Sequence, residues 1–341
     1  MKTNNRDASM DLMRITAMLL VMLFHINFYN IALEEGGISD YSKIQIFGYS
    51  FMKCISMVCV NMFILISGWY GINPSLKGIC KLAFQICFFS VPTYLIFCFI
   101  YDDLSFSPKI LCHLLLFGGY WFIPAYFILY ICSPILNAFV SHSSRKSFLF
   151  VLIAYYLLQF FYGWIEQETY FDHGCSPLAF FGLYLTARYI RLYTPKLTKV
   201  KSSVLFVCYV FILLTVSMLC CIITMYYSQE CAEMLMQYVS PFNTALSILL
   251  LLLFSRLKIR NRYINIFGIS CFSAYLLHGS PFFYEKIYYP LGIKLFYSES
   301  AFLSVLFLIT MIVSVFLVSI MIDKIRIIIW NYIETATKNW V

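Results

Sequence analysis

The chain has 341 residues, of which 62% are hydrophobic and only 12% are charged, and its mean hydropathy is +0.81. Soluble domains contain about 45–50% apolar and about 25% charged residues, so this composition excludes an ordinary soluble protein and predicts an all-α polytopic membrane protein. The net charge of +8 does not indicate nucleic-acid binding, because the basic residues are scattered in short loops between apolar runs. No polar block of soluble-domain size interrupts these runs, and we predict one integral-membrane domain over residues 1–341.

A helix needs roughly 20 apolar residues to cross a bilayer, and about ten runs of the chain qualify. We predict membrane helices at 11–31, 46–69, 82–101, 118–140, 148–164, 177–190, 203–227, 239–256, 264–286 and 300–322, with an additional half-helix at 110–117. The first run follows a basic tip and superficially resembles a secretory signal. No small-residue cleavage site follows it, so we interpret it as a retained transmembrane helix.

The distribution of charge predicts the orientation of these helices. If the N-terminus lies inside, 19 of the 24 Lys and Arg residues face the cytoplasm, and the acidic residues show the opposite bias. The outer side keeps only Lys43, Lys53, Lys109, Lys286 and Lys294. This asymmetry satisfies the positive-inside rule and predicts that both termini are cytoplasmic.

The first predicted helix contains two groups that are costly in hydrocarbon, Arg14 and His25. Their spacing of 11 residues places them about 20° apart around the helix axis and about 16 Å apart along it. Asp11 precedes Arg14 by three residues and lies near the same face. A lone histidine is commonly a structural residue and an arginine near a helix end is commonly a snorkelling anchor. The shared face favours the functional interpretation, in which both residues line a polar cavity.

A second intramembrane histidine, His278, lies on the ninth predicted helix, which also runs from inside to outside. Its distance from the helix start places it at a depth similar to that of His25, toward the outer half of the bilayer. A bundle histidine bonded to a neighbouring helix is the alternative. Two histidines are also potential metal ligands, but the chain has no HxxxH or CxxC pattern and we predict no metal site.

Four segments carry a family resemblance in the same order along the chain. They read MDLMRITAMLLVMLFH (10–25), NMFILISGWYGI (61–72), GGYWFIPAYFILYICSPIL (118–136) and CFSAYLLHGSP (271–281). They resemble the acyltransferase family 3 membrane proteins, whose first helix has an Arg, ten residues and then a His. Arg14 and His25 match that signature, and the likeness spans nearly the whole chain.

The resemblance implies that an acyl group, usually acetyl from acetyl-CoA, moves onto sugars of an envelope polysaccharide or a lipid-linked glycan. Acyl-CoA is then a donor substrate that arrives from the cytoplasm, no cofactor stays bound, and the protein lies in the inner membrane. We expect His25 to act as a general base, since imidazole suits proton transfer near neutral pH, or to accept the acyl group itself. We expect Arg14 to bind the donor, with Asp11 orienting it.

Further contacts are expected by analogy. The loop after the second helix often carries arginines in this family, whereas residues 71–81 read GINPSLKGICK and offer Lys77 and Lys81. Lysine meets a phosphate as a point charge, without the fork of arginine. Five residues are candidates for lining a donor tunnel or touching the acceptor: Asn61, Ser67, Trp121, Tyr275 and His278.

A transporter or glycan flippase is the competing interpretation, with Arg14 and His25 as a proton relay. Carriers often show internal repeats and broken helices. The sequence shows no repeat, and its central helices lack an acidic relay, so the acyltransferase interpretation is favoured. The acyl group, the acceptor glycan and the oligomeric state are left open.

Overall fold

The computed structural model of the protein describes residues 6–26, 41–116, 118–193, 200–296 and 301–337, which are 83% helical and contain no strand. The helices are α1 (Ala8–Ile26), α2 (Lys43–Ser56), α3 (Cys59–Tyr70), α4 (Leu76–Ile100), α5 (Pro108–Leu115), α6 (Phe122–His142), α7 (Arg145–Leu158), α8 (Pro177–Tyr193), α9 (Ser202–Tyr226), α10 (Gln229–Met236), α11 (Pro241–Phe254), α12 (Arg262–Ser270), α13 (Phe272–His278), α14 (Pro281–Phe283), α15 (Tyr289–Phe296) and α16 (Ala301–Thr337). A π-helical stretch, Gln159–Ile165, extends α7, and another, Tyr284–Tyr288, joins α14 to α15. The all-α prediction is confirmed.

Among these residues, eight helices are long and apolar enough to cross a membrane. They are α1, α2 with α3, α4, α6, α7 with its extension, α9, α10 with α11, and α16. The predicted half-helix at 110–117 corresponds to α5, and the predicted helix at 177–190 lies within α8, which has 17 residues. Residues 27–31 of the first predicted helix and residue 300 of the last lie outside the described residues.

The ninth predicted helix, 264–286, is not one straight helix. Arg262–His278 and Pro281–Leu295 form a pair bent by 66°, which makes a ninth span if the two halves cross together. The break falls immediately before Pro281, whose ring nitrogen has no hydrogen to donate and which therefore cannot continue a helical hydrogen-bond ladder. Apolar content alone did not reveal this bend.

The chain divides into two compact units, each built from two stretches of sequence. The first unit comprises Met1–Asn73 and Ala125–Arg262, and the second comprises Pro74–Pro124 and Tyr263–Val341. The sequence analysis predicts a single integral-membrane domain over residues 1–341, and this stays a prediction.

Large apolar side chains cover the outside of several helices. Phe99 on α4, Phe150 on α7 and Phe211 on α9 expose 91%, 72% and 69% of their surface. Such side chains are unfavourable in water, whereas lipid tails solvate them. The exposed surfaces therefore agree with a multi-pass membrane protein.

In the first unit, α3 packs closely against α8. A Cβ atom added to Gly68 on α3 would lie 2.4 Å from the backbone oxygen of Tyr184 and 2.9 Å from the Cβ of Ala187. Small residues allow helix backbones to approach in this way inside membranes. The glycine of the Ser-Gly-Trp motif at the end of α3 is therefore required because a larger residue would collide with α8.

We expect Gly68→Ala to lower the thermal midpoint of the detergent-purified protein, because overpacking a tight contact costs about 1–3 kcal/mol. Gly48→Ala is the matched control, since Gly48 is also a helical glycine of the first unit but nothing lies within 4 Å of an added Cβ. Its midpoint should stay the same or rise slightly, as alanine is the better helix former. Equal melting of the two variants would show that the contact between α3 and α8 does not limit stability.

Candidate active site

Helix α1 presents Arg14 and His25 on one stripe. Its buried side is formed by an apolar series that includes Met10, Met13 and Ala17, whereas Arg14 and His25 are half-buried. Since α1 is continuous over both residues, the offset of about 20° and the separation of about 16 Å expected from helical geometry apply. The ring of His25 lies 6.0 Å from that of Phe24.

The carboxylate of Asp11 holds two arginines. Asp11 is fully buried, and its Oδ1 accepts hydrogen bonds from Arg14 Nη1 at 2.5 Å and from Arg6 Nη2 at 2.7 Å, while Arg6 Nε donates to Oδ2. Charge-assisted bonds of this kind are the stronger ones in proteins. They give the Arg14 guanidinium a defined position, and 24% of its side chain stays exposed.

The C-terminal turn of α3 brings α1 and α8 together around one aromatic ring. The guanidinium carbon of Arg14 lies 5.7 Å from the centroid of Tyr70, and that of Arg191 on α8 lies 5.2 Å from the same centroid. Arg191 also lies 5.2 Å from the Trp69 ring and donates to the Trp69 backbone oxygen at 2.7 Å. Tyr70 Oη in turn donates to Asp7 at 3.1 Å. Arginines from two helices thus flank the Trp-Tyr pair that ends α3.

A closed hydrogen-bond ring fixes the loop that follows α3. The Ile72 N–H donates to Tyr184 Oη at 3.0 Å, Tyr184 Oη donates to Asn137 Oδ1 at 2.6 Å, and Asn137 Nδ2 donates back to the Ile72 oxygen at 2.8 Å. Gly71, just before, has a φ of +80°, which favours glycine. The side chain of Arg188 packs against it, with Nη1 3.2 Å from the position of an added Cβ.

Helix α6 contributes a polar stripe that the sequence analysis did not identify. Tyr126, Tyr130, Ser133 and Asn137 follow one another at intervals of four, three and four residues, which places them on one helix face. The hydroxyls of Tyr126 and Ser67 lie 3.3 Å apart, and Ser67 also donates to the Phe63 oxygen at 3.0 Å. Polar groups inside a membrane commonly face a cavity or one another. The spacing itself was the signal that could have revealed this face.

Asn61 makes a different kind of contact. It is fully buried on α3, and its Nδ2 donates to the Tyr238 oxygen at 3.0 Å, in the turn between α10 and α11. Asn243 donates to the oxygen of Met57, between α2 and α3, at 3.0 Å. The two amides thus connect the turn between α10 and α11 with the turn between α2 and α3. Asn61 donates to a backbone oxygen, which is a structural contact.

His278 lies in the second unit, where it is fully buried. Its Nδ1 lies 2.5 Å from the oxygen of Ala274, one turn earlier in α13. The ring centroid lies 5.1 Å from that of Tyr288 and 6.2 Å from that of Tyr275. The imidazole therefore sits in an aromatic environment with one nitrogen engaged by the helix backbone.

Tyr275 is the centre of that aromatic cluster. The rings of Tyr120 and Phe122 lie 5.5 Å and 6.0 Å from it, and Trp121 packs edge-on against Phe122 at 5.9 Å while remaining partly exposed. Tyr120 Oη also donates to the Leu276 oxygen at 2.6 Å. Residues 120–122 and the segment 271–281, which are far apart in sequence, thus meet within the second unit.

The two lysines expected to bind the donor also lie in the second unit. Lys77 forms an ion pair with Glu334 on α16. Lys81 is exposed and lies near a buried ion pair in which Arg326 Nη2 is 2.8 Å from Asp323 Oδ1. The charge of Lys77 is therefore already compensated within the protein.

Comparison with known proteins identifies the chain. A family model described as an acyltransferase domain, that of acyltransferase family 3, matches residues 7–324. The chain belongs to this family. The match covers nearly the whole chain, including both Arg14 and His25, and makes the protein a multi-pass membrane acyltransferase. No curated protein and no solved structure matches it.

We expect Asp11→Asn to destabilise the protein by about 1–3 kcal/mol, because a buried carboxylate that accepts charged hydrogen bonds would be lost. Asp103→Asn is the control, since Asp103 is exposed and its ion pair with Lys286 lies at the surface. Thermal midpoints of both variants, measured in the same detergent, test the contrast. Asp11→Asn melting no earlier than Asp103→Asn would contradict a role of Asp11 in holding Arg6 and Arg14.

Proposed function

We propose that this acyltransferase moves an acetyl group from cytoplasmic acetyl-CoA to a hydroxyl of an envelope polysaccharide or lipid-linked glycan, with His25 as the general base. The observation that carries the proposal is the stripe on α1, where Arg14 and His25 share one face about 16 Å apart. Membership of an acyltransferase family supports the reaction class. The protein would act in the inner membrane, with both termini cytoplasmic.

The donor binds at the Arg14 end of the stripe. Arg14 is held by Asp11 and is partly exposed. Because the single negative charge of Asp11 is shared between Arg6 and Arg14, this cluster keeps a net positive charge. Guanidinium groups bind phosphates and amide oxygens through paired donors. From there, the slender pantetheine arm extends the thioester toward His25, because about 16 Å is too far for the two residues to contact the same atom.

At the other end, His25 activates the acceptor. An imidazole nitrogen takes the proton of the sugar hydroxyl as its oxygen attacks the thioester carbonyl, forming the new C–O bond. The C–S bond then breaks, CoA leaves as a thiolate, and the imidazolium returns the proton to sulfur. In a covalent variant, the imidazole itself accepts the acyl group before the sugar does. Both routes require His25 and no metal ion.

The remaining candidates divide between the units. Ser67 lies beside Tyr126 in the first unit and is half-buried, which suits a residue of the donor path, whereas Trp121, Tyr275 and His278 belong to the second unit, where Tyr275 and His278 are buried and Trp121 is partly exposed. Aromatic faces and half-buried hydroxyls are common components of ligand sites. Lys77, Lys81 and Asn61 are weaker candidates, since Lys77 is paired with Glu334 and Asn61 with backbone.

We expect His25→Ala to reduce acetyl transfer at least about a hundredfold, since a positioned base contributes about 10²–10⁴ to a rate. His142→Ala is the matched control, because His142 is an exposed histidine at the end of α6 in the same unit. Membranes containing equal amounts of each variant would receive acetyl-CoA with a labelled acetyl group, and the label in envelope glycans would be counted. Full labelling with His25→Ala would disprove its role as base.

The same experiment separates an enzyme from the competing transporter or flippase function. A glycan flippase would not transfer the label and would not require acetyl-CoA. Analysis of O-acetyl groups in envelope glycans from cells with and without the protein identifies the acceptor. Unchanged O-acetylation in every glycan would argue against the proposed reaction.

A further inference from the structure

Arg188 differs from the other arginines around the end of α3. Arg6 and Arg14 share Asp11, and Arg191 donates to the Trp69 oxygen. Within the described residues, Arg188 forms no ion pair, and its Nε is buried without a hydrogen-bond partner. A buried cationic donor left without an acceptor costs free energy. The arrangement is therefore incomplete unless an anion or another acceptor joins it.

Arg188 is also poorly placed to be a membrane-surface anchor. An anchoring arginine extends its charged group along the lipid surface toward water. Arg188 instead belongs to α8, most of which is buried, and the side chain is itself half-buried, with its Nε fully buried. Its guanidinium packs against Gly71, beside the hydrogen-bond ring formed by Tyr184 with the loop after α3. The side chain thus points into the first unit.

The local charges favour an anionic ligand. Three arginines contact the end of α3 or the loop after it, and a fourth shares Asp11 with one of them. Within the described part of the chain, two aspartates form hydrogen bonds with this group, so four positive charges meet two negative ones. The arginines are Arg6, Arg14, Arg188 and Arg191, and the aspartates are Asp7 and Asp11. Guanidinium groups present paired donors that match phosphate oxygens. Arg188 and Arg191, three residues apart, lie on the same side of α8 and can hold one phosphate group together.

We propose that Arg188, with Arg191 beside it, binds a phosphate group of the nucleotide part of the CoA donor. This inference rests on the proposed function and assigns a second donor contact besides Arg14. It shifts the expected phosphate contact from Lys77, whose charge Glu334 compensates, to an arginine that forms no ion pair with any acid among the residues the structure describes. An anionic lipid carries the same phosphate chemistry, and the experiment distinguishes the two sources.

The test compares CoA with pantetheine, which has the same arm but no phosphate or nucleotide. Calorimetry on the full-length protein, in a detergent free of anionic lipid, would use the wild type, Arg188→Gln, Arg188→Lys and the control Arg145→Gln, whose arginine is exposed on α7. We expect Arg188→Gln to weaken CoA about tenfold or more and to leave pantetheine unchanged, since one charge-assisted contact is lost. Arg188→Lys should lose less, and Arg145→Gln should match the wild type.

Several outcomes would overturn the inference. If Arg188→Gln and Arg188→Lys keep the wild-type ratio of CoA to pantetheine affinity, Arg188 does not bind the donor phosphate, while the proposed function stands. An equal loss of both ligands would show a structural role only. If the variants keep that ratio but lose co-purifying phosphatidylglycerol when extracted from membranes, the ligand is a lipid. If the wild type binds neither CoA nor acetyl-CoA, the proposed function fails as well.

Discussion

Polar groups inside hydrocarbon must find their partners within the chain, and this constraint organises the first unit. The loop after α3 carries a backbone N–H and a carbonyl that Tyr184 and Asn137 satisfy together at Ile72. The carboxylate of Asp11 is satisfied by two arginines in the same way. The contacts of Tyr184 and Asn137 join segments that are distant in sequence, whereas those of Asp11 are local to α1. The ring of Tyr70, which lies between Arg14 of α1 and Arg191 of α8, holds the end of α3 between these two helices. That end is where the arginines gather.

The arginines of this region are not equivalent, because some form an ion pair with an acidic residue and others do not. Asp11 positions Arg14 and lowers the cost of burying it, whereas Arg188 has no acid within the described part of the chain. A compensated guanidinium is well placed to orient a ligand, and an uncompensated one contributes more electrostatic attraction to an anion. The close approach of α3 and α8 at Gly68 explains the position of Arg188, since it brings this side chain against the loop after α3.

Much of the fold could be predicted from hydropathy alone. All ten predicted helices have counterparts, and the half-helix before α6 was also anticipated, because apolar length is a property of local sequence. The bend before Pro281 was missed, although proline is a local signal, because the apolar run continues through it. Among the candidate residues, the stripe formed by Arg14 and His25 was recognised because both lie on one continuous helix. The stripe on α6 has equally regular spacing but was masked by its many aromatic residues.

The sequence by itself determined the helical membrane architecture, the stripe on α1 and the family of the protein, since each depends on residues close together in the chain or on their order. The pair of Asp11 and Arg14 is local and was expected from the sequence, but only the tertiary structure decided that Lys77 is neutralised and that Arg188, among the described residues, is not. Lys77 meets Glu334, 257 residues away, and Arg14 shares the ring of Tyr70 with Arg191. In the sequence, both arginines of α8 were only two of the 19 basic residues counted for the cytoplasmic side. Electrostatic compensation depends on contacts between distant segments, and no local pattern of residues encodes those contacts.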